Sequence, residues 1–259
     1  MNSYNKKLSS YYDLLYSKKD YNKECELIKK YSQGNSLLDI GAGTLSHSIL
    51  LSSHFDKILA TDFSESMIDV GMSKVDRLGI KNIKSHYGNL DDILFLKEYS
   101  TVISMFNVVN HILTLYDLFI FFSNVDKFLE TDGVFIFDCW NSVNCLIDTP
   151  KEYSKKEFHE LGNTIIYETK TTTDKINLIC DMESTIKVYD DSSLLETIEF
   201  GLTHRLWTID FLKEMLKEMG FELIKMIPYF DDTQDVSEND SRITFIFKKV
   251  EKWNKYILT

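Results

Sequence analysis

The chain has 259 residues, of which 44% are apolar, 27% charged and 13% aromatic, so it is long enough to bury a full core as one large domain or as one domain with a modest subdomain. Its net charge of −11 argues against nucleic acid as a partner. The sequence has no apolar run of about 18 residues and no signal peptide, which predicts a cytoplasmic protein without a membrane partner.

The first half of the chain alternates short apolar runs with amphipathic stretches, as βαβ units around a parallel sheet do. A helix is expected near residues 8–31, before the first strand. The predicted strands lie at 37–40, 57–61, 82–85, 101–105 and 134–137. Between the last two, apolar residues at helical spacing predict a helix over 115–129.

The pattern changes in the second half of the chain. Apolar residues occupy even positions from 176 to 188, which is the period of a half-exposed strand. With its flanking runs, this segment predicts an antiparallel three-stranded insert over 150–206. A helix is then expected from the N-cap Thr208 to Gly220, followed by closing strands at 221–227 and 243–249.

The most informative segment is Leu37-Leu-Asp-Ile-Gly-Ala-Gly-Thr44, a strand that enters a Gly-x-Gly turn. Glycines let the backbone approach a ligand, and Asp62, at the end of the next strand, can accept both hydroxyls of a ribose. Asp39 before the turn would repel a pyrophosphate but suits the ammonium of a methionine tail. Ser46 stands at the third-glycine position of a dinucleotide fingerprint, so the turn favours S-adenosylmethionine over NAD.

These segments resemble the successive motifs of class I S-adenosylmethionine-dependent methyltransferases, in order and at the usual spacing. The motifs are Asp39-Ile-Gly-Ala-Gly-Thr44, Ala60-Thr-Asp-Phe-Ser-Glu-Ser-Met67, Tyr87-Gly-Asn-Leu90, Gly133-Val-Phe-Ile-Phe-Asp138 and His204-Arg-Leu-Trp-Thr-Ile-Asp-Phe211. The resemblance implies an α/β fold, a Rossmann-like doubly wound and mostly parallel seven-stranded sheet with an antiparallel β insert. The sequence departs from the family at Leu45, where many members have a third glycine, and at Asn89, where an aspartate is usual.

The resemblance also implies roles for cofactor-binding residues. Asp39, Gly41 and Gly43, with Ala42 between them, should cradle the methionine part, and Asp62 should hold the ribose. The remaining expected contacts are Phe63 and Met67 with the adenosine, Asn89 and Leu90 with the adenine, and Met105 and Phe106 with the sulfonium.

The acceptor side is predicted from two further segments. Ser104-Met-Phe-Asn-Val-Val-Asn-His111 lacks the prolines with which nucleic-acid amino methyltransferases grip a flipped base. Tyr11-Tyr-Asp-Leu-Leu-Tyr16 is similar to the opening segment of N-methyltransferases that act on nucleotide-linked amino sugars, in which this helix is a lid over the cofactor and its tyrosines face the methyl donor. The expected pocket residues are Tyr12, Tyr16, His111, Trp140, His204 and Arg205.

Catalytic roles are expected for His111, Tyr12 and Tyr16. The histidine suits a base because its ordinary pKa is near neutrality, and the tyrosine faces can stabilise the cationic donor, so that Tyr12 also counts as a cofactor contact. Arg205 can clamp a phosphate or carboxylate of the acceptor. His47, His54, His86 and His159 have no motif context and are expected at the surface, and the four cysteines show no metal-ligand spacing, so no metal is expected.

Residues 1–149 and 204–259 are thus predicted to form the cofactor-binding domain, with a lid helix at about 8–31. Residues 150–203 are predicted to form an insert that binds the acceptor or makes a homodimer. The expected activity is methyl transfer to an amine or hydroxyl of a small polar metabolite, in particular a nucleotide-linked sugar. Two alternatives remain open at this stage, an NAD-type oxidoreductase and a non-catalytic adenosyl-binding module.

Overall fold

The computed structural model describes residues 6–93, 99–148 and 150–250, so the predicted domain boundary at 149 lies outside the described residues. In chain order, the helices and strands of the first part of the chain are α1 (Lys6–Leu15), α2 (Tyr21–Tyr31), β1 (Ser36–Ile40), α3 (Ser46–Leu51), β2 (Lys57–Asp62), α4 (Glu65–Leu78), β3 (Ile83–Tyr87), β4 (Tyr99–Ser104), α5 (Leu115–Phe128) and β5 (Leu129–Trp140). The remaining elements are α6 (Ser142–Ile147), β6 (Tyr153–Glu160), β7 (Asn163–Asp174), β8 (Ile179–Asp190), β9 (Ser193–Arg205), α7 (Ile209–Glu218), β10 (Phe221–Pro228) and β11 (Arg242–Lys249). Two 3₁₀ turns span Leu90–Asp92 and Val108–His111.

Seven strands form the central sheet in the order β10-β11-β5-β4-β1-β2-β3. The contacts among β1 to β5 are parallel, and β11 runs antiparallel to both of its neighbours. The strand order reverses at β1 and β4, and in such sheets ligands bind beyond the carboxyl ends of the strands at this point. The predicted fold class is confirmed.

Helices of this unit begin and end where the sequence provides caps. The Ser64 side chain accepts a hydrogen bond from the Met67 amide at the start of α4, and Gly79 ends that helix with a φ of 69°. Thr208 caps α7 in the same way, by accepting from the Phe211 amide. These caps fix the point at which each helix leaves the sheet.

The N-terminal helix is broken, in contrast to the single helix expected over 8–31. α1 ends at Leu15, and α2 begins at Tyr21 after the cap Asp20, whose side chain accepts from the Lys23 amide. The prediction overlooked Asp20, a residue that starts helices because its carboxylate satisfies a free amide. The break lets α1 turn away from α2.

The insert has four strands and not three. They form a separate antiparallel sheet in the order β6-β7-β8-β9. β6 was missed because its sequence, Tyr-Ser-Lys-Lys-Glu-Phe-His-Glu, is mostly charged and exposed, as edge strands often are. Leu161 and Gly162, with φ values of 49° and 84°, make the tight turn into β7.

The last strand of the insert extends to Arg205, so His204 and Arg205 belong to β9 and not to the closing part of the first domain. The predicted alternation along the insert is present: even positions of β8 such as Cys180 and Ile186 are buried. α1 covers the same face of the sheet, since Leu8 and Leu15 pack with Ile165, Tyr167, Ile186, Val188 and Ile198.

Candidate active site

A cavity of roughly 1130 Å³ lies between the carboxyl ends of the parallel strands, α1 and the insert sheet. Ligand pockets for one small molecule commonly measure about 300–1,000 Å³, so this cavity has room for a cofactor together with an acceptor. The predicted residues that line it are Tyr12, Tyr16, Gly41, Ala42, Gly43, Asp62, Phe63, Met67, Met105, Phe106, His111, Trp140 and His204.

The glycine turn needs its glycines for two different reasons. Gly41 has a φ of 73°, and a Cβ there would lie 2.5 Å from the Val108 Cγ2. Gly43 has a φ of 55°, but a Cβ at that position would meet nothing closer than the Tyr12 ring at 4.0 Å. The Tyr12 ring therefore lies close over the turn at Gly43, and the bare glycine backbone is open to the cavity beside it.

Leu45 replaces the third glycine and keeps the conformation that glycine favours, with a φ of 63°. Its side chain is fully buried against α4. A Cβ on Gly71 of that helix would lie 2.5 Å from the Leu45 Cδ1. The glycine missing from the turn is thus compensated by a glycine in the neighbouring helix.

Asp62 ends β2 at the cavity wall. Its Oδ2 accepts from the Gly43 amide at 2.8 Å, and its Oδ1 accepts from the Ser64 amide at 2.8 Å. Burial raises the pKa of this carboxyl, while the backbone hydrogen bonds oppose that rise. Each carboxylate oxygen has a further lone pair, so Asp62 can also accept from ligand hydroxyls.

Four predicted site residues do not line the cavity. Asp39 is buried beneath the turn, where its Oδ2 accepts from the Ser48 hydroxyl at 2.7 Å. Leu90 is buried in the core and Asn89 is exposed. The Arg205 guanidinium lies 5.2 Å from the Trp207 ring, so the side chain expected to clamp the acceptor packs elsewhere.

Arg242, at the start of β11, lines the cavity instead. Its guanidinium lies over the rings of Phe106 and Tyr229, at 4.9 and 5.4 Å, and its Nη1 is 3.9 Å from the Asp138 Oδ2. Arg242 is one of only three arginines in the chain, but no motif adjoins it, whereas Arg205 lies within the motif at 204–211. The sequence contains no sign that β11 starts at the pocket.

α1 forms the roof of the cavity. Asp13 accepts from the Thr44 hydroxyl at 2.5 Å and from the Lys74 ammonium at 2.7 Å, so it bridges the glycine turn and α4. On the cavity side, the Tyr16 ring lies 4.8 Å from both the Tyr12 ring and the Phe106 ring. The roof is therefore aromatic on its inner surface and bonded to the cofactor side by its polar residues.

Two histidines and a tryptophan form one wall. The His204 ring stacks on Trp140 at 4.7 Å, and His111 lies 4.4 Å from His204. Asn110 fixes this arrangement, because its Oδ1 accepts from the Trp140 amide at 2.9 Å and its Nδ2 donates to the Arg205 carbonyl at 2.8 Å.

Both imidazoles of this wall are uncharged at neutral pH. Burial lowers the pKa of His204 to about 3, and His111 beside it contributes to the shift. Desolvation lowers the pKa of His111 to about 4. The His111 ring opens onto the cavity, so its desolvation is greatest when a ligand displaces the water there.

The insert contributes residues that the sequence did not single out. These are Ser154, Lys156, Tyr167, Thr169, Met182, Glu199, Phe200, Gly201, Leu202 and Thr203. Tyr167, Thr169 and Phe200 lie on the buried face that the alternation predicts. The alternation identifies that face but does not say that a cavity lies against it.

His47 was expected at the surface but is 5% exposed and lines the cavity with Tyr21. Its Nε2 is 2.6 Å from the Glu24 Oε2, and the same oxygen accepts from the Lys19 ammonium. The Lys19 Nζ lies over the Tyr21 ring at 4.0 Å. Only the helix break between α1 and α2, which the prediction lacked, brings these residues beside the glycine turn.

Among the described residues, no helix is long and apolar enough to cross a membrane. The same residues contain no group of three or more histidine, cysteine or acidic side chains arranged to hold a metal ion.

Comparison with known proteins gives consistent results. Residues 37–133 match the family model of a methyltransferase domain. A curated relative from Bacillus subtilis strain 168, named "Putative methyltransferase YqeM", is 23% identical and aligns over 94% of this chain and 95% of its own length.

Solved structures show the same fold at low sequence identity. An S-adenosylmethionine-dependent methyltransferase from Clostridium acetobutylicum has a TM-score of 0.78 and 18% identity, over 92% of this chain and 95% of that one. The sugar N-methyltransferase KedS8 from Streptoalloteichus has a TM-score of 0.76 and 17% identity, over 93% of both chains.

Proposed function

Since the chain is an S-adenosylmethionine-dependent methyltransferase of class I fold, we propose that it methylates the amino group of a small polar carbohydrate, in particular a nucleotide-linked amino sugar. The enzyme class and cofactor predicted from the sequence are confirmed, against the NAD-type and non-catalytic alternatives. The structural similarity to KedS8, a sugar N-methyltransferase, supports the acceptor class, and three features of the cavity support it independently.

The cavity residues fit the cofactor. The glycine turn presents its backbone to the cavity, and the Asp62 carboxylate beside it suits ribose hydroxyls. Phe63 is 76% exposed and offers an apolar surface for a purine, while Met67, 2% exposed, also lines the wall. When bound, the cofactor supplies a methyl group activated by a sulfonium.

The wall formed by His111, His204 and Trp140 is the feature that supports an amine as the methyl acceptor. A bound cofactor would supply the methyl group and its sulfur would keep the electrons of the broken C–S bond; an amine would take the methyl group through its lone pair and release its proton to solvent. An amine needs only to be uncharged, and a wall of His111, His204 and Trp140 favours the uncharged form by desolvation. A hydroxyl acceptor would also need a base to take its proton, and desolvation lowers the pKa of His111, the residue expected to serve as that base.

The aromatic roof contributes in a second way. Tyr12, Tyr16 and Phe106 present ring faces and edges to the same space, and ring faces stabilise a cation such as the sulfonium. They also exclude water, so the acceptor nitrogen is held against the methyl donor without competition from solvent.

The position of Arg242 is a reason to expect an acidic group on the acceptor. Its guanidinium is held flat by Phe106 and Tyr229, and its remaining N–H groups suit bidentate binding of a phosphate. The rim of the insert adds Lys156. A sugar linked to a nucleotide supplies both the amine and the phosphates.

Mass spectrometry of reaction products tests the proposal. The panel pairs nucleotide-linked amino sugars with the same nucleotide-linked sugars that carry a hydroxyl in place of the amine, and with the free amino sugars. We expect methylation of the nucleotide-linked amines, a raised KM for the free amino sugars, and no product from the hydroxyl partners. Equal kcat/KM for amine and hydroxyl partners would refute the choice of an amine, and equal KM values with and without the nucleotide would refute the nucleotide link.

A further inference from the structure

A buried charged group lies behind the cavity wall next to the glycine turn. Lys19, Glu24 and His47 have side chains that are 5%, 2% and 7% exposed. Both Lys19 and His47 bind the same oxygen of Glu24, and its other oxygen, Oε1, is buried without a hydrogen-bond partner among the described residues. Burying three ionisable groups is costly, so their position beside the cavity calls for a reason beyond the packing of α2 on α3.

The group is arranged to act on the cavity. His47 and Tyr21 line it, with their rings 5.1 Å apart. The Lys19 ammonium lies behind two lining rings, 4.0 Å from the Tyr21 centroid and 4.8 Å from the Phe106 centroid. Because the His47 Nε2 is held by Glu24, Nδ1 is the ring nitrogen that remains for a ligand.

At the other end of this cavity wall, Asp62 is the residue expected to bind the ribose of the cofactor. Asp62 accepts from the amide of Gly43 and suits the ribose, and His47 follows Gly43 by four residues, in the first turn of α3. A cofactor whose ribose lies at Asp62 and whose chain follows the glycine turn therefore ends beside His47 and Tyr21. Asp39, the residue expected to meet that end, is occupied by Ser48 beneath the turn.

We infer that His47 binds the α-carboxylate at the amino-acid end of the cofactor, and that Glu24 and Lys19 position it. His47 acts in the imidazolium form, in which Nε2–H donates to Glu24 and Nδ1–H donates to the ligand carboxylate. Lys19 adds a positive charge behind the two aromatic side chains. A carboxylate gains from this field, which screening by solvent does not weaken in a buried site. The inference depends on the cofactor and not on the proposed acceptor.

Three ligands that share the same adenosine and thioether test it without any acceptor. S-adenosylhomocysteine has the whole tail, its decarboxylated analogue lacks the carboxylate, and 5′-methylthioadenosine lacks the amino acid. For His47→Ala, calorimetry should show about a tenfold or greater rise in the Kd of S-adenosylhomocysteine, the effect of losing a hydrogen bond to a charged group. The Kd values of the other two ligands should change less than twofold.

Lys19 and Glu24 are tested as positioning residues. Lys19→Met should weaken S-adenosylhomocysteine selectively, Lys19→Arg should restore most of its affinity, and Glu24→Gln should act like Lys19→Met. Asp62→Ala should instead weaken all three ligands equally, and His159→Ala, at an exposed site of the insert, should change none of them.

Two results would overturn the inference: a loss in His47→Ala that is equal for all three ligands, or an unchanged Kd for S-adenosylhomocysteine in the folded variant. The unfolding temperature without ligand establishes that each variant is folded. Because acceptor methylation is not measured, failure here leaves the proposed acceptor untouched, and failure of the acceptor panel leaves this binding result untouched.

Discussion

The two walls of the cavity are built by different means. On the parallel-sheet side, the recognition elements are backbone groups in unusual conformations, with the amides of Gly43 and Ser64 held by the Asp62 carboxylate. On the insert side, the wall consists of alternating side chains of an antiparallel sheet, such as Tyr167, Thr169 and Phe200. If the insert binds the acceptor and the glycine turn binds the cofactor, as proposed, substitutions on the insert should alter acceptor binding without disturbing the turn.

The insert wall is nevertheless ordered by its own hydrogen bonds. The Ser184 hydroxyl is 3.1 Å from the Thr169 hydroxyl and 3.4 Å from the Tyr167 hydroxyl, and the Tyr167 ring stacks parallel to Phe200 at 6.3 Å. An aromatic pair beside buried hydroxyls suits a ligand that is part planar and part polar. The comparison thus predicts a division of labour, in which one wall sets cofactor affinity and the other sets acceptor KM.

The largest effect should come from Asp62→Ala. The variant loses the charged acceptor for the ribose and frees the Gly43 amide, so we expect roughly a hundredfold rise in the Kd of S-adenosylhomocysteine, as two charge-assisted hydrogen bonds would give. Calorimetry measures it. Glu65→Ala, which removes an exposed acid three residues later, is the matched control, and a similar loss in that variant would contradict the role of Asp62.

A smaller effect, on acceptor binding and not on cofactor binding, is expected from Phe200→Ala on the insert. We expect the acceptor KM to rise about tenfold, because a stacked ring is lost, while the Kd of S-adenosylhomocysteine stays within twofold. Steady-state kinetics and calorimetry on the same preparation separate the two constants. If the cofactor Kd rises as much as the acceptor KM, the two walls are not independent.

His111→Gln should lower kcat by no more than about tenfold, because glutamine retains hydrogen bonding and a base is not required. General-base catalysis would give a loss of about 10²–10⁴-fold. Because desolvation lowers the pKa of His111 to about 4, the ring is neutral at every pH above about 5 at which kcat would be measured. The pH profile of kcat should therefore keep its shape in the variant, and loss of an inflection between pH 6 and 7 would show that His111 titrates during turnover.

The smallest effect concerns stability and tests whether the turn depends on its neighbour. Gly71→Ala should destabilise the fold by about 1–3 kcal/mol, because its Cβ would overlap Leu45. In a Leu45→Gly background the same substitution should stabilise the fold by about 1 kcal/mol, as alanine does in a helix. Urea unfolding of the four variants measures this reversal, and destabilisation in both backgrounds would show that Leu45 is not the constraint.

The parallel-sheet side of the molecule is also easier to predict from the sequence than the insert side. The parallel strands and the glycine turn were predictable because local rules determine them: a buried strand, a residue with positive φ and an acid at the strand end. Asp62 was placed at the cavity wall for this reason. β6 was not predictable from apolar periodicity, because a charged edge strand is stabilised by its neighbour β7 and not by burial of its own side chains.

Two residues that the sequence did not place at the cavity reach it for a common physical reason. Arg242 and His47 reach the cavity through the pairing of β11 with β5 and through the break between α1 and α2, which are contacts between segments distant in sequence. Arg205 was favoured because it adjoins His204, yet neighbours along a strand point to opposite faces. The roles of the individual site residues and the use of the insert for dimerisation stay predictions.

The bridging position of α1 has a consequence for the timing of catalysis. The helix is bonded to the glycine turn and to α4 through Asp13, and it packs on the insert through Leu8 and Leu15. Under the proposed function, a tilt of this helix would change the contacts of the cofactor side and of the acceptor side together. Release of the spent cofactor and entry of a new acceptor would then depend on the same helix movement. The contacts of the Asp13 carboxylate with Thr44 and Lys74 would help to set its rate.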